Sequence, residues 1–189
     1  MNAIDLKPGM IFQYEGNMYT VINTTYTQQQ QRRGYIRCKA KELKTGKNVE
    51  HLFRSDVKIQ QIYVEEKPLI FLYRDKETFW FMDENTYEQI SISENIIGEG
   101  KNYLTENLSV TGLFYEGKLL DIKLPIFVEL KVEETEPGFK GDTVSAGKKK
   151  AKLETGLIIS VPLFIKVGDV LKIDTRTNEY ITRVNENES

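Results

Sequence analysis

Few residues in this 189-residue chain have the type and spacing to carry covalent chemistry. One cysteine, Cys38, and one histidine, His51, supply no zinc set, no internal disulfide and no Ser-His or Cys-His relay of the usual kind. The adjacent carboxylates Asp83-Glu84 and Glu133-Glu134 would project to opposite faces of a strand, which makes each a poor general acid/base pair. His51, within Val49-Glu50-His51-Leu52-Phe53, sits on an apparent strand with no partner ligand nearby and reads as structural or exposed. Trp80, in Phe79-Trp80-Phe81-Met82, reads as core rather than as a base-stacking platform. A small hydrolase would need a constellation that is missing here, so no catalytic residue, metal or cofactor is expected.

Polyanion recognition remains. The polar stretch Gln28-Gln29-Gln30-Gln31-Arg32-Arg33-Gly34 lies between two β-rich runs and reads as a hairpin tip; each arginine could hold a phosphate bidentately or stack on a base. A second loop, residues 136–150, joins four glycine or proline positions to Gly141-Asp142-Thr143 and to Lys148-Lys149-Lys150. It could grip a backbone. It has no Gly-Lys-Ser/Thr arrangement between a strand and a helix, so nucleotide hydrolysis is unsupported.

The net charge of −2 excludes a uniformly basic coat, but the charge is segregated. Residues 1–64 carry 10 Lys/Arg against 5 Asp/Glu, residues 65–128 carry 6 against 12, and residues 129–189 carry 10 against 11. The basic excess is concentrated between Arg32 and Lys58, a polarity that could orient this end on RNA. No apolar run approaches the roughly 20 residues that span a bilayer. The first ten residues also lack the plan of a signal peptide, so a cytoplasmic protein without membrane contact is expected.

The elements that must position these residues are strands. Ile11–Tyr14 and Met18–Ile22 flank Glu15-Gly16-Asn17; Leu113–Tyr115 and Leu119–Ile122 flank Glu116-Gly117; Val170–Ile173 and Tyr180–Val184 flank 175–178. Each segment therefore has its own hairpin. The one helix candidate, Ser93 to Leu104, is capped by Ser93 but carries Gly98 and Gly100, each costing about 1 kcal/mol against Ala, so it is short at best. Pro68 and Pro125 mark the ends of the middle segment. The expectation is all-β: three small barrels over residues 1–64, 65–128 and 129–189, packed consecutively.

Three stretches resemble the bacterial elongation factor P family. They are Asp5-Leu6-Lys7-Pro8-Gly9-Met10, Asp83-Glu84-Asn85-Thr86-Tyr87-Glu88-Gln89-Ile90 and, most specifically, the run from Lys149 to Gly168; the ending Asp174–Thr177 with Tyr180–Val184 is similar too. The resemblance covers the whole chain. It implies a KOW/SH3-like barrel followed by two OB-type β-barrels in an elongated, tRNA-like L shape. It also implies a non-enzymatic elongation factor that binds the 70S ribosome between peptidyl and exit sites and relieves stalling at consecutive prolines. Implied partners are peptidyl-tRNA, ribosomal RNA and mRNA near the exit site, with the factor acting as a monomer. Gln30, Gln31, Arg32, Arg33 and Gly34 would form the loop that faces the peptidyl-transferase centre. Arg37, Lys39, Gly141, Asp142, Thr143, Tyr180 and Arg183 would contact RNA.

The tip departs from the family pattern, in which a lysine or arginine within a small-residue loop receives a covalent extension. A gap-free count from Tyr35-Ile36-Arg37 puts that position on Gln31, and a one-residue slip puts it on Arg32; no lysine lies from Gln28 to Gly34. The chain therefore works unmodified or through Arg32. The competing reading is a general single-stranded RNA-binding OB-fold protein, which the acidic middle segment argues against.

Overall fold

The computed structural model describes residues 1–28, 34–138 and 147–184. Its strands fall into three five-stranded sheets. The first comprises β1 (Ile11–Tyr14), β2 (Asn17–Thr27), β3 (Tyr35–Glu42), β4 (Asn48–Arg54) and β5 (Gln60–Ile62), in the order β4-β3-β2-β1-β5. The second comprises β6 (Glu65–Asp75), β7 (Thr78–Asp83), β8 (Gln89–Ser93), β9 (Ser109–Tyr115) and β10 (Lys118–Lys123), in the order β10-β9-β6-β7-β8. The third comprises β11 (Phe127–Thr135), β12 (Lys148–Leu153), β13 (Ile158–Pro162), β14 (Val170–Asp174) and β15 (Glu179–Val184), in the order β13-β12-β11-β14-β15. In the second and third sheets the edge strands approach one another, β8 with β10 and β13 with β15, as a curling sheet requires. Two compact units result: residues 1–69, 73–98 and 111–123 form one, and residues 70–72, 99–110 and 124–189 the other.

All three anticipated hairpins are present, and two share one turn. Glu15-Gly16 and Glu116-Gly117 are two-residue connections with positive φ at both positions (49° and 83°, then 49° and 78°). This is the primed geometry whose twist matches the flanking strands, and glycine takes the second position without steric cost. The third hairpin closes over 175–178 with Asn178 left-handed at φ 61°.

Burial alternates along the strands. In β3, Ile36, Cys38 and Ala40 are buried while Tyr35, Arg37 and Lys39 are exposed. With Ala3, Leu6, Phe12, Tyr19, Val21, Phe53 and Ile59 they form the first core. The third core is Val128, Leu130, Val132, Ala151, Leu153, Leu157, Ile159, Val161, Ile165, Leu171 and Ile173, with Tyr103. Alternation also corrects the expectation for Trp80. Phe79 and Phe81 point into the core, so Trp80 turns to the other face, half-buried and stacked on the exposed Tyr73 at 6.2 Å.

The helix candidate resolves into a four-residue α1 (Glu94–Ile97) followed by a 3₁₀ stretch, Gly98–Tyr103. The Ser93 hydroxyl caps α1 by accepting from the Asn95 amide, and Gly98, at φ 57°, ends it.

Candidate nucleic-acid interface

The hairpin β2–β3 is the longest paired ribbon of the first sheet, and its tip falls where the sequence placed it. Thr27 pairs with Tyr35, Thr25 with Arg37 and Asn23 with Lys39. The tip residues Gln30, Gln31, Arg32 and Arg33 lie outside the described residues, as does the choice between Gln31 and Arg32. Gly34 is buried at the base of the tip. A Cβ there would lie 2.3 Å from the Tyr26 hydroxyl oxygen and 2.4 Å from its ring, so glycine leaves room for Tyr26 to lie across the strand. The Gly34 carbonyl accepts from the Ser55 amide at 2.9 Å, fastening the tip base to the end of β4.

Below the tip, one face of the ribbon carries a polar cleft of about 260 Å³ lined by Asn23, Thr25, Thr27, Arg37 and Lys39. The structure thus brings together two residues that the family resemblance nominated, Arg37 and Lys39. It adds three that were not foreseen. Asn23, Thr25 and Thr27 were accessible to sequence reasoning, because counting outward from the tip sets them opposite the basic residues. A bulge between Val21 and Asn23 keeps this outward face polar while Val21 returns to the core. Arg37 approaches Glu50 at 3.5 Å, both side chains about half exposed, a pairing that water screens and a phosphate can replace. Hydroxyl and amide groups beside two cations make a donor-rich surface suited to phosphate and sugar oxygens.

Behind this face His51 stands in an aromatic cage. Its ring is 4.8 Å from Tyr19, 5.5 Å from Tyr14 and stacked on Phe53 at 5.4 Å. Burial lowers its pKa, with Glu15 opposing, so the neutral form is favoured and the residue packs rather than ligates. The Cys38 thiol is buried and pushed up to about 11 by burial, which leaves it unreactive. Among the described residues no group of three or more His, Cys, Asp or Glu could hold a metal ion.

The third sheet treats its nominated residues differently. Gly141, Asp142 and Thr143 lie outside the described residues. Tyr180 pairs with Ile173 and Arg183 with Leu171, because a register shift between Lys172 and Ile173 leaves Ile181 unpaired and sets both nominated residues on one face of β15. Tyr180 is half-buried and lines a cleft of about 480 Å³ with Lys148, Lys150, Ser160 and Asn178. Arg183 stacks over Phe164 at 5.5 Å and reaches Asp169 at 3.7 Å.

Two family-like motifs prove to be turn hardware. The Asp83 carboxylate accepts from the Asn85 and Thr86 amides at 2.8 and 3.1 Å, which lowers its pKa and shapes the β7–β8 turn. Asp174 accepts from the Arg176 amide, Nε and Nη2 at 2.8, 3.1 and 2.7 Å, and these bonds hold its carboxyl at about 2. The run from Lys149 to Gly168 supplies Ala151, Leu153, Leu157, Ile159, Val161 and Ile165 to the third core.

Three five-stranded sheets follow one another along the chain, the first presenting exposed Arg37 and Lys39 on its β2–β3 hairpin. The chain matches the Elongation factor P (EF-P) KOW-like domain over residues 2–59, the EF-P OB domain over 64–122 and the Elongation factor P C-terminal domain over 128–183. It is 44% identical over 180 residues to Elongation factor P of Coprothermobacter proteolyticus, covering 95% of this chain and 97% of that protein. It is 46% identical over 186 residues to Elongation factor P of Thermodesulfovibrio yellowstonii, covering 98% and 100%. The chain belongs to the elongation factor P family of translation elongation factors, which is not an enzyme class. No helix among the described residues is long and apolar enough to cross a membrane.

Proposed function

We propose that the chain acts as a monomer in the cytoplasm, binds the 70S ribosome between the peptidyl and exit sites, and speeds peptide-bond formation at consecutive prolines. The observation that carries this reading is the β2–β3 ribbon, which sets Arg37 and Lys39 in one polar cleft with Asn23, Thr25 and Thr27. In this reading the ribbon grips the phosphate-sugar backbone near the end of peptidyl-tRNA, with ribosomal RNA around it. The tip residues Gln30 to Gly34 would then face the reaction centre, with the factor working unmodified through Gln31 or through Arg32. The third sheet, with Tyr180, Arg183 and the Gly141-Asp142-Thr143 loop, faces the small-subunit end and mRNA near the exit site.

The chemistry would be positional. Proline's ring fixes φ near −65° and restricts the approach of its nitrogen, so a correctly held tRNA end restores a productive geometry. Orientation of this kind is worth several kcal/mol of barrier without any reacting side chain. The test is in vitro translation of a message with three consecutive prolines. Added protein is expected to remove the pause there and leave other codons unaffected, and a pause that persists with saturating factor rejects the proposal.

A further inference from the structure

The first and second sheets meet within one compact unit, and their contact contains a buried ion pair in apolar surroundings. Lys41, near the end of β3, sends its ammonium 2.6 Å from the Asp121 carboxylate of β10; the side chains are 20% and 7% exposed. The same ammonium donates to the Ile96 carbonyl of α1 at 2.9 Å, and Asp121 accepts from the Ile122 amide at 2.9 Å. The pairing register of β10 shifts between Leu119 and Asp121, an irregularity that re-aims the side chains beyond it. Ile11, Leu43, Ile62 and Leu113 form the adjoining apolar cluster. Beside it, the β3–β4 turn abuts α1 so closely that a Cβ on Gly46 would fall 1.7 Å from the Asn95 carbonyl oxygen.

We infer that Lys41 and Asp121 are a register lock that admits one docking of the tip-bearing barrel on the central barrel. An apolar contact alone slides and rotates at little cost, because hydrophobic burial has no direction. A lysine that must reach one carboxylate and one carbonyl at once removes that freedom, since any shift strands a buried charge. Burial raises the Asp121 carboxyl even against the pull of Lys41, so desolvation outweighs the attraction. Ion pairs withdrawn from water add little net stability, so the contribution of this one lies in specifying geometry. Lys41 and Asp121 are positioning residues: they aim the β2–β3 ribbon and touch no substrate. The functional consequence rests on the reading proposed above, whereas the lock does not.

The experiment places spin labels at Leu52→Cys on the first barrel and Asn85→Cys on the second, both exposed positions, while the buried Cys38 stays unlabelled. The full chain is compared with Lys41→Met/Asp121→Leu, which removes both charges and refills the space. The double variant is expected to melt no lower than the parent, while its inter-label distance distribution broadens on the order of twofold. Asp121→Asn, which strands the lysine, should melt lower. A double variant that keeps the narrow distribution, or that unfolds, overturns the lock. Proline-stall relief by the double variant is expected to fall on the order of tenfold at saturating factor, as misplacement of a reacting group does. A broadened distribution with undiminished relief keeps the lock and rejects tip positioning as the basis of function.

Discussion

The β2–β3 hairpin of the first barrel and the β14–β15 hairpin of the third are built from the same grammar and solve different problems. In β14–β15 the turn charges pair with each other. Asp174 is satisfied by three bonds from Arg176, Tyr103 donates to Asn178 at 2.9 Å, and Leu171 and Ile173 are fully buried. In β2–β3 Arg37 and Lys39 face outward, alternating with the buried Ile36, Cys38 and Ala40, and the opposing strand offers Asn23, Thr25 and Thr27. The run most readily recognised as family-like, Lys149 to Gly168, packs into the same third core, while the segment proposed to act carries a tip that departs from the family pattern. Similarity of sequence here reports core complementarity first and function second.

The contrast breaks most visibly in the third core. Leu153→Ala, at a fully buried position within the family-like run, is expected to cost about 2–5 kcal/mol in urea unfolding. Ribosome affinity per folded molecule should be unchanged. Next comes Gly34→Ala, which drives a Cβ into Tyr26 and is expected to cost about 1–3 kcal/mol and to displace the tip base. A thermal melt indistinguishable from the parent would show that Tyr26 moves aside freely.

The opposite behaviour is expected on the basic ribbon. Arg37→Glu with Lys39→Glu should lower stability by about 1 kcal/mol at most, since both side chains are exposed and the added cost is repulsion from the facing Glu50. It should flatten the dependence of log affinity on log salt by about two units at most, one for each phosphate that is no longer neutralised. Titrations of ribosome binding at several salt concentrations measure this. The smallest effect concerns Asp174. Its carboxyl is held at about 2, against 3.8 for the unperturbed group, so its contribution to stability is present above pH 4 and is lost as the pH falls towards 2. Asp174→Asn is expected to flatten the acid limb of the stability curve and leave pH 7 ribosome binding alone.

Much of this arrangement is legible in the sequence. Glu15-Gly16 and Glu116-Gly117 between β-rich runs announce two hairpins, because local φ preferences decide such turns. Gly98 likewise announces the end of α1. Period-two burial is readable in Tyr35 to Ala40 and thereby places Arg37 and Lys39 on one face. What escapes is non-local. Trp80 looks like core because its neighbours are aromatic, yet its face is set by the pairing of β7 with β8. Lys41 and Asp121 are separated by 80 positions in the chain, and nothing local to either predicts that they meet. Charge counting even misleads there, since it groups Lys41 with a basic patch although the side chain is spent on an internal contact.

In the proposed function the first-barrel ribbon, and not general cationic charge, would place the factor for its reaction. The most direct measurement is the rate of peptide-bond formation on ribosomes stalled at consecutive prolines, at fixed salt. The parent would be compared with Arg37→Glu/Lys39→Glu and with Lys76→Glu/Lys118→Glu, an equal charge change at exposed positions of the second sheet. The first double variant is expected to lose most of the stimulation and the second to retain it. Equal losses from both pairs, or full stimulation by Arg37→Glu/Lys39→Glu, would contradict this placement.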